Sequence, residues 1–260
     1  MKKVFITGAT GYIGNAFVDK YCDKYCFKAF GRSKPALSVE YCKGDILDLP
    51  ALIKASAGSD IIVHAAALTP DRAGISDAEY MATNLTGTHN VLRAAVKNKI
   101  KKVIFLSSVC AVGIRSRSLP VKEDDVCRPS DGVYGFSKMA GERLCKDYSE
   151  KHSISVLCIR PATVVPQHKF VAPQKGTVPW IGFVDIEDVL QLLDLAAAQE
   201  KLKYGIFHAA PDNRFSAFDI TASKKLLGYK PIHNFENFTK LDFAARIKFL
   251  LKKLLAGGKK

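Results

Sequence analysis

The seven cysteines (Cys22, Cys26, Cys42, Cys110, Cys127, Cys145, Cys158) contain no CxxC pair. An odd, scattered set speaks against a disulfide framework or a zinc site and for a reducing compartment. No run of about 18 uninterrupted apolar residues is present, the length a helix needs to cross a bilayer. The first apolar run follows two lysines and stops at Thr7-Gly8, too short for a signal-peptide core. A cytoplasmic location is therefore expected. The six histidines lack the spacing of a metal site, so no metal is expected. Internal repeats and low-complexity tracts are missing as well.

What is present is a chain of 260 residues, enough for one sizeable core or one core with a small lobe. Hydrophobic residues at 48% and charged residues at 25% match a soluble globular protein and exclude a disordered one. The net charge of +14 is uneven, with thirteen Lys or Arg against four Asp or Glu in residues 201–260. Such a field favours anionic partners, or is a solvated basic face. No nucleic-acid partner is expected.

From Lys2 to about Arg160, short β-rich runs alternate with helical segments, the pattern of βαβ units around a parallel sheet. The strands are read at Val4–Thr7, Phe27–Phe30, Val39–Cys42, Ile61–His64, Val103–Leu106 and Val156–Ile159. The helices are read at Ile13–Tyr21, Leu49–Ala57, Ala78–Asn98 and Val133–Lys151. After Pro161 the texture changes. Residues 166–180 hold Pro166, Pro173, Gly176 and Pro179 and read as loop. Asp185–Gln199 then reads as a helix with Asp185 as N-cap, and Tyr204–His208 as a strand. Leu241–Leu255 is helical and amphipathic, with Arg246, Lys248, Lys252 and Lys253 mostly opposite the apolar face. That tail packs on the body or on a second subunit, or lies against an anionic membrane surface.

Thr7-Gly8-Ala9-Thr10-Gly11-Tyr12-Ile13-Gly14 lies between the first strand and the first helix. Gly8 allows a tight turn, Gly11 lets backbone approach a pyrophosphate, and Gly14 lets helix and strand pack closely. The pyrophosphate would sit on the helix N-terminus, where free N–H groups and the macrodipole favour anions. About 20 residues further on, an acidic residue would bind the ribose 2′-hydroxyl of NAD. This chain instead reads Gly31-Arg32-Ser33-Lys34, and Arg32, Ser33 and Lys34 could hold the 2′-phosphate of NADP. The expectation is NADP, with NAD still open.

The chain resembles the extended short-chain dehydrogenase/reductase family, the NAD-dependent epimerase/dehydratases. The landmarks occur in order: TGATGYIG at 7–14, GDILD at 44–48, DIIVHAAA at 60–67, NLTGTHNVL at 84–92 and KVIFLSSVCAVG at 102–113. Glu123 after a proline follows, then YGFSK at 134–138, IRPATVV at 159–165, FVDIEDV at 183–189 and KKLLGYKP at 224–231. The fold expected is α/β, a Rossmann-type doubly wound parallel sheet over residues 1–165, with 183–208 returning to it. Residues 166–182 and 209–260 would form a small, shortened C-terminal substrate lobe and the basic tail.

The resemblance implies Tyr134 as general acid/base, Lys138 as its partner and holder of the nicotinamide ribose, and Ser108 as the residue orienting the substrate. Chemistry supports this: Tyr134 and Lys138 share one helix face. A free tyrosine has a pKa of about 10, and a nearby ammonium and the positive nicotinamide ring should lower it. By resemblance also, Asp45 and Ile46 flank the adenine, and Ala65, Ala66 and Ala67 line the dinucleotide. Asn84, near the active site, and Ser107 belong to the cofactor-binding set, and Pro161–Thr163 meets the nicotinamide end. Each of these could instead be structural. His64 reads as a strand-end packing residue. A homodimer through the helices carrying Asn84 and Tyr134 is implied by resemblance alone.

Two departures narrow the activity. Family dehydratases carry Asp and Glu after the active-site Ser or Thr. Here Val109 and Cys110 stand there and cannot drive elimination; Cys110 reads as a small buried hydrophobe. Val112 replaces the tyrosine of the epimerases' Val-Tyr-Gly motif, and only seventeen residues separate Val165 from Phe183, where those enzymes insert helices that clasp a nucleotide. A pocket built from Ala111–Asp125, Gln167–Trp180 and Asp212–Phe218 suits a modest substrate. The expected activity is NAD(P)-dependent hydride transfer on the alcohol or carbonyl of a small sugar-like or polar molecule. The alternatives are a sugar or nucleotide-sugar 4-epimerase and a non-catalytic dinucleotide sensor.

Overall fold

The computed structural model describes residues 1–114, 119–166, 182–213 and 216–235. Six strands follow in chain order: β1 (Lys2–Thr7), β2 (Tyr25–Gly31), β3 (Glu40–Lys43), β4 (Ile61–His64), β5 (Lys102–Leu106) and β6 (Ser155–Pro161). A short parallel pair, β7 (Thr163–Val164) and β8 (Phe183–Val184), precedes β9 (Tyr204–Ala209). The main sheet has seven strands in the order β3-β2-β1-β4-β5-β6-β9, all parallel. Chain direction along the sheet reverses between β1 and β4, which opens a crevice beyond the carboxyl ends of those strands.

The helices are α1 (Tyr12–Tyr21), α2 (Leu49–Ser56), α3 (Asp77–Tyr80), α4 (Gly87–Lys97), α5 (Gly132–Lys151), α6 (Ile186–Ala198) and α7 (Thr221–Leu227). They cover both faces of the sheet, so the central strands β4, β5 and β6 are buried almost throughout, without alternation. Val4, Ile6, Ile104 and Leu157 point to the face packed by Phe17, Val18, Leu192 and Leu193 of α1 and α6. Phe5, Ile62, Val103 and Phe105 point to the face packed by Leu52, Val91, Leu92 and Cys145 of α2, α4 and α5. Each such side chain contributes about 1.5–3 kcal/mol by leaving water.

The strands and helices expected from pattern occur within a few residues of their predicted bounds. Asp185 caps α6 by accepting from the Glu187 N–H at 2.8 Å. The helix expected over 78–98 is interrupted by a wider π-helical stretch, Met81–Thr86. The short α7 has no counterpart in the periodicity reading. Lys102 sits in a strand, yet its Nζ donates to the Ala196, Ala197 and Gln199 carbonyls and so caps the C-terminus of α6. Among the described residues no helix is long and apolar enough to cross a membrane. The expected tail helix Leu241–Leu255 and the pocket segment Gln167–Trp180 lie outside the described residues, as do parts of Ala111–Asp125 and Asp212–Phe218.

Candidate active site

The turn after β1 is built for an anion. Gly8 has φ +81°, and a Cβ there would lie 2.5 Å from the Ala66 backbone nitrogen; a Cβ on Gly14 would collide with the Gly8 carbonyl. Only glycine fits either place. The Gly11 N–H donates to the Gly8 carbonyl at 3.0 Å and closes the turn. Asp48, Ser76 and Asp185 cap α2, α3 and α6 with their side chains. The N-terminus of α1 has no side-chain cap and no acid in its first turn, so the N–H groups near Tyr12 and Ile13 are left for a ligand such as a pyrophosphate. Gly11 and Tyr12 are exposed and Ile13 half-buried.

The other predicted binding residues gather at the same edge of the sheet. Arg32 and Ser33 are exposed just past β2. The Asp45 carboxylate accepts from the Leu47 N–H at 2.9 Å, and Ile46 is buried, its carbonyl held by Asn90 at 3.1 Å. Ala65, Ala66 and Ala67 are half-buried behind β4, beside Gly8. Pro161 is buried at the end of β6, and Thr163 is exposed in β7. Asn84 is buried in the π-helical stretch, where its carboxamide pairs with the Leu68 N–H and C=O at 2.8 and 3.0 Å. It fixes the loop after β4, and its other amide proton goes to Ser137 Oγ at 3.1 Å.

Ser107 and Ser108 follow β5, and both are buried. Ser108 Oγ accepts from the Cys110 N–H at 3.1 Å, which leaves its hydroxyl proton to act on the Tyr134 phenol, whose pKa it lowers. The Tyr134 ring packs edge-on against Tyr80, with centroids 6.2 Å apart. Burial pushes its phenol up to about 12; the Ser108 bond works the other way, and Cys110, Asp131 and Asp71 add to the rise. Lys138 is buried, donates to the Leu106 carbonyl at 2.8 Å and lies 5.0 Å from the Phe105 ring centroid. Burial lowers it to about 8, against the pull of Glu142. The expected lowering of Tyr134 by the ammonium together with the nicotinamide ring is thus not present in the free protein, where burial raises the phenol. One ammonium proton goes to the Leu106 carbonyl, and burial dominates the phenol.

Cys110 also differs from its reading as a hydrophobe. It is half-buried and its thiol donates to Asp131 at 2.9 Å. Burial and Asp131 raise its pKa, so it is a poor nucleophile. His64 fills a packing position, stacked on Phe105 at 5.8 Å, with both ring nitrogens hydrogen-bonded.

Sequence reasoning missed the polar layer beneath the site. Arg160 is fully buried in β6 and pairs with Glu142 of α5, Nε to Oε1 and Nη2 to Oε2, both at 2.7 Å. Ser107 Oγ donates to the same Oε1 at 2.6 Å, and Arg160 Nη1 reaches the Glu123 carbonyl at 3.2 Å. Burial and Arg160 hold His208 neutral, down at about 3. Among the described residues Glu123 Oε1 is buried without a hydrogen-bond partner, and burial raises that carboxyl to about 7. Two signals were available: Glu142 comes one turn after Lys138, and Arg160 is a charge at the end of an apolar strand.

Asp185, Glu187 and His233 bring three ligand atoms within 4.8 Å of one another, but Asp185 is the α6 cap and His233 pairs with Glu187 at 3.1 Å. A cavity of 1320 Å³ lies along the outer side of α5 beside Met139, Arg143, Tyr204 and Phe207. It is bordered by none of Ser108, Tyr134 or Lys138.

A parallel doubly wound sheet, a glycine turn at its switch point and a Ser-Tyr-Lys set on the same edge define a nicotinamide-dinucleotide protein of the short-chain dehydrogenase type. The model of the NAD dependent epimerase/dehydratase family matches residues 4–181, and the chain belongs to that family. It is 27% identical to an NAD-dependent glucose-6-phosphate dehydrogenase of Haloferax volcanii, over 91% of this chain and 95% of that one. It is 25% identical to a uronate dehydrogenase of Pseudomonas putida, over 91% and 86%. The structure of a tyrosine-to-alanine mutant of uronate dehydrogenase from Agrobacterium tumefaciens complexed with NAD superposes with a TM-score of 0.79 at 23% identity, covering 97% of this chain and 90% of that one. The glycine turn and the uncapped α1 fit an NAD(P)-type dinucleotide.

Proposed function

We propose that the protein is an NAD(P)-dependent dehydrogenase or reductase that acts on the alcohol or carbonyl of a small sugar-like substrate. The observation that carries this is the placement of two buried hydroxyls, Ser108 after β5 and Tyr134 in α5, where Ser108 acts on the phenol, with the glycine turn leaving α1 open after β1. The dinucleotide, when bound, supplies the hydride acceptor or donor and, in its oxidised form, a positive ring. Ser108 orients the substrate oxygen, and Tyr134 takes or returns its proton. Burial keeps that proton on the phenol in the free protein, so the tyrosine becomes a base only when positive charge enters the site. Lys138, held by Leu106, stands one turn away to meet the ribose hydroxyls.

The named relatives act, by their names, on glucose 6-phosphate and on uronates, which supports a sugar-like substrate here. Arg32 and Ser33, exposed past β2 where no acidic residue stands, favour NADP. The basic composition of segment 241–255 supports contact with an anionic surface, and the family resemblance supports a homodimer through the helical segments carrying Asn84 and Tyr134 and work in a reducing cytoplasm. The test is a screen of aldoses, sugar phosphates, uronates and nucleotide sugars with NAD and NADP, followed by reduced-nicotinamide absorbance. Net cofactor reduction on a monosaccharide is expected. Turnover that consumes no cofactor would instead identify an epimerase, and dinucleotide binding without turnover a sensor.

A further inference from the structure

A single line of hydrogen bonds crosses the molecule from the dinucleotide turn to the catalytic helix. The Ala66 N–H meets Thr7 Oγ1 at 3.4 Å, and Thr7 Oγ1 meets His64 Nδ1 at 2.7 Å. On the other side of the ring, His64 Nε2 meets Thr88 Oγ1 at 3.0 Å, and Thr88 Oγ1 meets the Asn84 carbonyl at 2.5 Å. From Asn84 the amide donates to Ser137 Oγ at 3.1 Å, and Ser137 Oγ donates to the Tyr134 carbonyl at 2.7 Å. Thr7, His64, Asn84, Thr88 and Ser137 are all buried.

The protons in this line have one arrangement. A carbonyl only accepts, so the Thr88 hydroxyl proton is committed to Asn84. His64 Nε2 must then carry a proton to meet Thr88, and in the neutral ring Nδ1 is an acceptor, filled by the Thr7 hydroxyl. Thr7 in turn accepts from Ala66, beside Gly8. The Asn84 carboxamide is likewise fixed, since its oxygen is spent on the Leu68 N–H. Neutrality follows from the surroundings. The ring is wholly buried and faces Phe105, two threonines and the Lys138 charge, with no carboxylate acting on it. A fixed tautomer joins donors and acceptors that would otherwise be unsatisfied in the interior.

We infer that His64, locked as the neutral Nε2–H tautomer between Thr7 and Thr88, is a positioning residue that ties the dinucleotide turn to the helix carrying Tyr134. It touches neither the cofactor turn's anion site nor the phenol. Through Thr7 and Ala66 it holds β1 against the loop after β4. Through Thr88, Asn84 and Ser137 it holds the start of α5. The inference rests on Tyr134 being the proton-transferring residue.

Two measurements test it. Histidine-ring nitrogen NMR on the unaltered protein should show His64 with its proton on Nε2 and no titration across the ordinary histidine range. A ring protonated on Nδ1, or one that titrates near its ordinary value, overturns the inference, and this result does not require any variant to fold. Thr88→Val should lower turnover by about tenfold, the loss of one buried hydrogen bond. It should also weaken dinucleotide affinity, read by cofactor fluorescence without substrate, while Thr88→Ser restores both. A folded Thr88→Val protein with unchanged turnover and affinity contradicts the inference. If dinucleotide binds but neither protein turns over any substrate, the catalytic reading of Tyr134 has failed, and the NMR result still decides the role of His64.

Discussion

Arg160 and Glu142 meet in a two-pronged pair, both hydrogen bonds at 2.7 Å, with the guanidinium wholly excluded from solvent. Glu142 follows Lys138 by one turn of α5, so the pair clamps the helix that carries Tyr134 to β6. The same carboxylate takes the Ser107 hydroxyl next to Ser108. Breaking such a pair leaves a buried charge without a partner, and removing one member costs about 3–5 kcal/mol. Glu142→Gln should therefore destabilise severely in urea unfolding, whereas Glu142→Leu with Arg160→Met should recover most of the loss. Equal stability of the single and double variants would contradict this role.

The glycine turn is tested by adding one carbon. Gly8 has a left-handed backbone, which costs an L-residue about 1–2 kcal/mol, and its Cβ would strike the Ala66 backbone. Gly14→Ala would drive the start of α1 away from the Gly8 carbonyl. Both variants should lose dinucleotide affinity by isothermal titration while far-ultraviolet circular dichroism stays native-like.

Arg32 reports on the cofactor. Arg32→Ala should weaken NADP by about tenfold through loss of one charge-assisted contact, with NAD affinity unchanged. Loss of neither, measured by cofactor fluorescence, would show that the exposed guanidinium does not read the 2′ position.

Glu123 should make stability depend on pH. Its folded-state pKa is raised to about 7 by burial, so the folded protein binds a proton that the unfolded chain has released. The stabilisation is complete below the ordinary carboxylate range and lost as pH rises through about 7. Glu123→Gln keeps the neutral shape. It should raise the Tm at pH 8, by an amount equivalent to about 1 kcal/mol, and leave it unchanged at pH 4.

Much of the fold was legible because a parallel sheet buries both faces. Val4 to Ile6, Ile61 to Val63 and Val103 to Leu106 therefore stand out as apolar runs between helices of clear period. The glycine turn was legible because Gly8 and Gly14 have no substitute. The tyrosine's acidity was not, because it depends on burial and on where Lys138 points, and neither follows from a spacing of four. The Glu142–Arg160 and His64–Thr88 links were hidden for the same reason. Each joins residues far apart in sequence, and a charged or polar side chain in a string gives no sign of its partner. The π-helical turn at Asn84 has no period that a 3.6-residue reading could detect.

The most direct measurement is Tyr134→Phe, with turnover and dinucleotide affinity read side by side on the substrate that the screen identifies. Removing a general acid/base should lower turnover by about a hundredfold or more, with dinucleotide affinity within about twofold of the parent because the glycine turn is untouched. Turnover that survives in the phenylalanine protein would contradict the assignment of Tyr134 as the residue that moves the proton.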